Sequence, residues 1–211
     1  MLEIKIIKSS MLSKFQLSSS FETIIVLPAI DMELAKKASE VMKRRTNQDG
    51  LLLIVEDDLR LGFIMVSNLV YSKTMSRYFS YVAQDAYAGE FWLDYALDTI
   101  KRAKCGLLSF NDGRFFGKIA VFGLVNRQWL NTVYGKLLFY PKYKSHFADT
   151  ELSVIASQTN NLVFNPNSLL IEVDYEKHLH PNNNDDEILY RQRAETGFDK
   201  RIPSFKQEQI L

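Results

Sequence analysis

Residues 22–58 decide the fold: Glu22-Thr-Ile-Ile-Val-Leu-Pro28, then Ala29-Ile-Asp31, a stretch Met32–Arg45, and finally Leu51-Leu-Leu-Ile-Val55 followed by Glu56-Asp57-Asp58. The two short apolar runs have no polar alternation, so each reads as a strand buried on both faces. Between them Ala35, Ala38, Val41 and Met42 recur at helical spacing. Asp31 stands in the N-cap position, and Lys43, Arg44 and Arg45 crowd the end of a helix that favours cations. Asn47-Gln-Asp-Gly50 breaks that helix. Strand, helix and strand within roughly 35 residues make a βαβ unit, hence a parallel sheet with a right-handed crossover.

Upstream, Leu2-Glu-Ile-Lys-Ile-Ile7 alternates like a strand before a serine-rich stretch, so residues 1–20 read as an edge strand or a loosely held arm. Downstream, residues 59–77 read as a helix and Tyr78–Val82 as a third strand ending in Gln84-Asp85-Ala-Tyr87. Residues 90–104 then read as an amphipathic helix with Trp92, Tyr95, Ala96, Ile100 and Ala103 on one face. Gly106–Phe110 and Lys118–Phe122 read as an antiparallel pair joined by Asn111-Asp-Gly113, and residues 125–134 as a short helix. In Tyr140-Pro-Lys-Tyr-Lys-Ser-His-Phe-Ala-Asp-Thr-Glu-Leu-Ser-Val-Ile-Ala156 the proline excludes a helix throughout. Asp149 is expected to cap a helix whose buried face carries Leu152, Ile155 and Ala156. Strands at 162–164 and 168–173 follow, and the charged tail after residue 187 is expected to begin as a helix.

A chain of 211 residues without a repeat or a sharp linker reads as one domain, 1–211. Within it, residues 1–20 are an arm or edge strand and 182–211 a tail, with 22–110 and 111–181 as the two halves between them. A hydrophobic content of 46% is that of an ordinary globular protein, and a net charge of +1 gives no electrostatic case for nucleic acid. The single cysteine, Cys105, excludes an internal disulfide and fits a reducing compartment. No apolar run reaches the roughly 20 residues of a membrane span, and no secretory leader is apparent. A cytoplasmic protein without a span, peripheral to a membrane at most, is the expectation; its oligomeric state is open.

Among chemistry-bearing residues, Asp57, Asp58 and Asp85 end two parallel strands, the edge where open α/β sheets bind ligands. They suit a divalent cation beside phosphate oxygens, or they are solvated turn acids. Asp149 and Glu151, at the head of a helix beside Tyr, Lys and His, suit proton handling, or they are an ordinary cap and a first-turn acid. His178 and His180 alternate on an extended segment and could share the ligand edge. There is no GxxxxGK[ST], GxGxxG, GxSxG, CxxC or HExxH pattern. Glu172, Asp174 and Lys177 fit a metal-dependent nuclease pattern as well.

Taken in order, these pieces resemble small glycosyltransferases of the GT-A fold, close to the inverting family-2 type. Thr23-Ile-Ile-Val-Leu-Pro28 is similar to that family's first strand, and Ile54-Val-Glu-Asp-Asp58 to its base-contacting second strand. Tyr81–Tyr87 falls at its metal-binding DxD, Ala148-Asp-Thr-Glu-Leu152 at its "ED" segment, and His178-Leu-His180 at its metal-binding histidine. The resemblance covers roughly residues 22–181. It implies an α/β GT-A architecture: a mixed, mostly parallel sheet flanked by helices. Asp149 would be the catalytic base, with Glu151 beside it; Pro28, Asp31, Asp57, Asp58, Gln84 and Asp112 would line the nucleotide-sugar site. Asp85, with His178 or His180, would hold Mn2+ or Mg2+. The implied partners are a nucleoside-diphosphate sugar, UDP-linked by preference, and a glycan or lipid-linked acceptor in polysaccharide or glycoconjugate assembly. Gln84-Asp85-Ala-Tyr87 departs from the family in carrying one acid, so a catalytically inactive sugar-nucleotide-binding relative is an alternative.

Overall fold

The structure is a computed structural model that describes residues 1–17, 21–173 and 184–204. Its strands are β1 (Leu2–Lys8), β2 (Thr23–Ala29), β3 (Gly50–Glu56), β4 (Tyr78–Tyr81), β5 (Ala86–Ala88), β6 (Leu107–Asn111), β7 (Gly123–Asn126) and β8 (Leu162–Glu172). The helices are α1 (Met32–Arg44), α2 (Phe63–Lys73), α3 (Trp92–Ala103), α4 (Arg127–Tyr134), α5 (Ala148–Gln158), α6 (Asn184–Glu195) and α7 (Gly197–Lys200), with a 3-10 turn at Ser9–Lys14.

The strands form one sheet in the order β1-β3-β2-β4-β7-β6-β8-β5. Strand β1 lies parallel to β3, β3 to β2, and β2 to β4, while β7 runs antiparallel to both β4 and β6. Strand β8 is parallel to β6 and carries antiparallel β5 at the far edge. The βαβ unit is therefore present, and residues 2–8 are an edge strand rather than an arm. Every residue of β2 is buried, which is why its sequence shows no alternation. Its side chains still alternate in destination: Ile24 and Val26 face one core cluster, Ile25 and Leu27 the other.

The first cluster lies beneath α2, α4, α5 and α6, with Tyr71, Phe79, Tyr81, Phe139 and Tyr143 supplying most of its aromatic bulk. The second lies beneath α1 and α3, around Trp92 and Phe110, whose rings sit 5.4 Å apart. Helix α1 starts where Asp31 predicts, since the Asp31 carboxylate accepts from the N–H groups of Glu33 and Leu34 at 2.9 and 3.1 Å.

Three expectations need correction. The partner of β6 is not Lys118–Phe122 but Gly123–Asn126; residues 118–122 form a loop whose apolar side chains are nonetheless buried at Ala120 and Phe122. Only its end bonds to the backbone of β6, the Phe122 carbonyl accepting from Phe110 N–H at 3.2 Å; at Ala120 the backbone bonds to side chains, its N–H to Ser153 Oγ at 2.8 Å and its carbonyl accepting from Tyr81 Oη at 2.7 Å. Residues 162–172 form one strand with an irregularity opposite Ser109 and Asn111, not two. Helix α2 is shorter than residues 59–77, because residues 57–62 form a loop closed on Asp57.

Candidate functional site

Strands β1, β2, β3, β4, β6 and β8 run the same way, so the loops after them gather at one edge. That edge collects Pro28, Asp31, Asp57, Asp58, Gln84, Asp85 and Asp112. What the structure adds is how each is used.

Pro28 is buried inside β2, opposite Val55 and one residue before the strand ends. Gln84 reaches back to the loop after β2, its Oε1 accepting from Ile30 N–H at 2.8 Å and Asp31 N–H at 2.9 Å. Asp57, only 5% exposed, accepts from Leu61 and Gly62 N–H at 2.9 and 2.8 Å and so shapes the β3–α2 loop. A side chain on Gly62, at φ +84, would approach the Lys144 carbonyl at 3.6 Å, so this loop lies against the segment leading into α5. Asp58 is held by Ser9 Oγ (2.8 Å), Ser10 N–H (3.0 Å) and Ser10 Oγ (2.7 Å), and the bond from the Ser10 hydroxyl does most to bring its pKa down to about 2. Asp58 thus fastens edge strand β1 to the end of β3.

Asp112 opens the β6–β7 loop by accepting from Arg114 and Phe115 N–H, both at 2.9 Å. The same loop carries Phe116, exposed at 65% and at φ 48. Asp85 lies half-buried in the turn between β4 and β5, where its carbonyl accepts from Val173 N–H at 3.0 Å. A divalent cation takes several oxygen or nitrogen ligands. Among the described residues no group of three or more His, Cys, Asp or Glu side chains is assembled for one. Of the expected shell only Asp85 is described; His178 and His180 lie outside the described residues, as do Asp174 and Lys177 of the nuclease pattern.

Helix α5 begins with Ala148, and the residue before it is Phe147, in the left-handed region at φ 65 with no side-chain cap. Asp149 is therefore not the N-cap. It stands inside the first turn, its Oδ1 accepting from Thr150 N–H at 2.8 Å. As a residue it is half-buried, but its carboxyl is packed deeply enough that burial pushes its pKa above the usual range. The N–H groups of Thr150 and of Asp149 itself and the His146 ring oppose that shift without cancelling it. Tyr81, at the carboxyl end of β4, is close enough that the Asp149 charge adds to the burial raising the Tyr81 phenol. Asp149 thus stands in the first turn of α5 with its carboxyl near Tyr81, the last residue of β4.

Glu151, two residues on, is a different kind of acid. It is fully buried, and both its oxygens are used: Oε1 by Tyr134 Oη and Arg193 Nη2, Oε2 by Tyr143 Oη and Arg193 Nε, all at 2.7 Å. Four donors leave no lone pair facing solvent, so the geometry corrects the catalytic expectation for Glu151 to a structural ion pair. Arg193 also lies 3.3 Å above the Tyr140 ring and reaches Asp199 at 3.1 Å. Asp186, 1% exposed, accepts from Lys144, Ser145 and His146 N–H at 2.9, 2.8 and 2.8 Å. Arg193 and Asp186 both lie in a charged tail, and nothing local in the sequence distinguishes them from solvated residues.

No family model matches this chain, and no curated protein does. Its fold does match solved structures. A mannosyltransferase from Pyrobaculum calidifontis, in complex with GDP-Man and Mn2+, superposes with a TM-score of 0.55 at 12% identity over 84% of this chain. A mutant Drosophila β-1,4-galactosyltransferase 7, in complex with manganese, UDP-Gal and xylobiose, gives 0.57 at 13% identity over 79% of each chain. TarS from S. aureus, residues 1–349 with UDP-GlcNAc, gives 0.59 at 11% identity over 89% of this chain and 74% of its own. This chain spans 62% of the mannosyltransferase and 44% of the longer TarS structure. The fold is thus the GT-A fold of the nucleotide-sugar glycosyltransferases, with a mixed sheet between helical layers.

Proposed function

We propose that this chain transfers a sugar from a nucleoside-diphosphate sugar to an acceptor hydroxyl, with Asp149 as the base. The observation that supports the reading is the place of Asp149 in the first turn of α5, its carboxyl raised in pKa by burial and close to Tyr81 at the carboxyl end of β4. Asp149 takes the proton of the acceptor hydroxyl, and the acceptor oxygen attacks the anomeric carbon. The bond from that carbon to the phosphate oxygen breaks, and the nucleoside diphosphate leaves with the bonding pair. A single displacement inverts the anomeric centre. The loops built by Asp31, Asp57, Gln84 and Asp112 would receive the donor, UDP-linked by preference, as supported by the ligands of the structural neighbours. Asp85 with His178 or His180 would hold Mn2+ or Mg2+, which would neutralise charge on the departing diphosphate. The acceptor would be a glycan or lipid-linked glycan in polysaccharide or glycoconjugate assembly, and the location cytoplasmic. Among the described residues no helix is long and apolar enough to cross a membrane.

A second reading, a sugar-nucleotide-binding protein without turnover, draws on the single acid at Asp85 and on the prior engagement of Asp57 and Asp58 by backbone and serine donors. A thermal-shift panel of UDP-, GDP-, CMP- and dTDP-sugars, each with Mn2+ and with EDTA, separates the possibilities. A ligand that binds the native state raises the midpoint by a few degrees when well above its dissociation constant. The expected result is a Mn2+-dependent shift with one nucleotide, weakened in Asp85→Ala, and release of the diphosphate only when acceptor is added. A shift without release under any acceptor favours the second reading. No shift with any nucleotide overturns both.

A further inference from the structure

We propose that Asp186, on the first turn of α6, is a positioning residue that holds the Asp149 carboxyl in place by capturing the backbone just ahead of α5. The inference rests on Asp149 being the base and concerns what keeps that base where it is.

Helix α5 has no local device fixing its start. Phe147 is left-handed with no side-chain cap, and the Asp149 carboxylate bonds only within the first turn, to Thr150 and to its own N–H. A helix start so made is free to fray unless something distant holds it. The distant group is Asp186, whose two oxygens take three consecutive N–H groups, Lys144, Ser145 and His146, all within 2.9 Å. Hydrogen bonds to an ionised acceptor are the strong kind, and at 1% exposure little water competes for them. Helix α6 grips on either side of Asp149 as well. Tyr190 stacks on Phe147, ring centroids 5.2 Å apart, and Arg193 pairs with Glu151. The three contacts fall at residues 144–146, 147 and 151, so Asp149 stands between fixed points while touching none of the groups that fix it.

The consequence is kinetic. Misplacing a catalytic group by about 1 Å can cost on the order of 100-fold in rate. Asp186→Asn keeps the shape but offers one carbonyl where two carboxylate oxygens accepted three bonds. In the full-length protein it should lower kcat for transfer about 100-fold with the KM for the nucleotide sugar unchanged. It should also displace the acidic limb of the kcat/KM–pH profile, because a base freed from its packing titrates differently; a contribution to stability alone would leave that limb in place. Asp186→Glu, which restores a two-oxygen acceptor, should recover most of the rate. Amide hydrogen exchange gives a readout independent of turnover: residues 147–151 should exchange at least tenfold faster in Asp186→Asn, with β2 and β3 unchanged. If Asp186→Asn fails to fold, Tyr190→Leu loosens the same segment through Phe147 and takes its place. Unchanged kcat, an unmoved pH limb or unchanged exchange at 147–151 overturns the proposal. A wild-type chain that transfers nothing sinks the proposed function instead, and the exchange measurement then decides the clasp by itself.

Discussion

The Glu151–Arg193 pair allows a stability prediction worked from geometry. Glu151 is 0% exposed and Arg193 6%, and the guanidinium meets both carboxylate oxygens at 2.7 Å. Arg193→Met fills much the same space without charge. Removing one partner of a buried pair leaves the other charge uncompensated, which costs about 3–5 kcal/mol. The guanidinium also rests 3.3 Å above Tyr140, a contact worth about 1 kcal/mol. Its bond to Asp199 adds less than about 1 kcal/mol, since Asp199 is 54% exposed and screened. The expected loss is therefore about 4–6 kcal/mol, a large fraction of the roughly 5–15 kcal/mol of a whole domain. Urea denaturation measures it, with an unchanged m-value showing that the denatured state has not altered. The sharper test is the double variant. Glu151→Gln on the Arg193→Met background removes the stranded charge, and its carbonyl can still accept from Tyr134 or Tyr143, so the double variant should be more stable than Arg193→Met alone. If it is less stable by the full loss seen in Glu151→Gln alone, the two residues act independently and the ion-pair reasoning fails.

Asp149→Asn should lower transfer by about 100- to 10,000-fold while leaving nucleotide-sugar binding intact, read by turnover and by titration of the donor. Burial raises the pKa of Asp149 above its unfolded value, so its contribution to stability is full below the unfolded pKa and is lost as pH rises through the raised one. The asparagine variant, which mimics the neutral form, should therefore gain on wild type in urea midpoint between pH 4 and pH 7. Asp58 behaves oppositely: its pKa is lowered to about 2, so its contribution is present above about pH 4 and is lost as pH falls towards 2. Asp58→Ala should flatten that acid limb of the stability profile and speed amide exchange in β1. At Gly106 an added side chain would meet the Trp129 ring at 2.0 Å, so Gly106→Ala should lower stability by about 1–3 kcal/mol or more, read as a lower thermal midpoint.

The parallel half of the sheet was legible because its strands are covered on both faces, which makes Thr23–Ala29 and Gly50–Glu56 continuous apolar runs, and because Asp31 caps α1 through its own neighbours. Residues 118–122 misled for a physical reason. Ala120 and Phe122 are buried like strand residues, yet the Ala120 backbone is satisfied by Ser153 and Tyr81, side chains remote in sequence. Strand β5, three residues of Ala-Tyr-Ala, is too short to leave a pattern. At the site, the acids of the ligand edge could be located from the sequence. Their bonds to N–H groups could not, because those depend on how loops close. The difference between Asp149 and Glu151, two residues apart on one helical turn, is set by Arg193, and the start of α5 by Asp186. No local pattern reports partners some 40 residues away.

That separation bears on how the chain is made. Glu151 leaves the ribosome 42 residues before Arg193, and the loop ahead of α5 emerges about as long before Asp186. At synthesis rates of about 5–20 residues per second, the second half waits seconds with a carboxylate that must enter an apolar interior still lacking its cation. The sheet from β1 to β4 has no such dependence and can close early. A chain cut short before residue 193 would therefore keep its first strands paired while Glu151 lacked the cation that lets it enter the core.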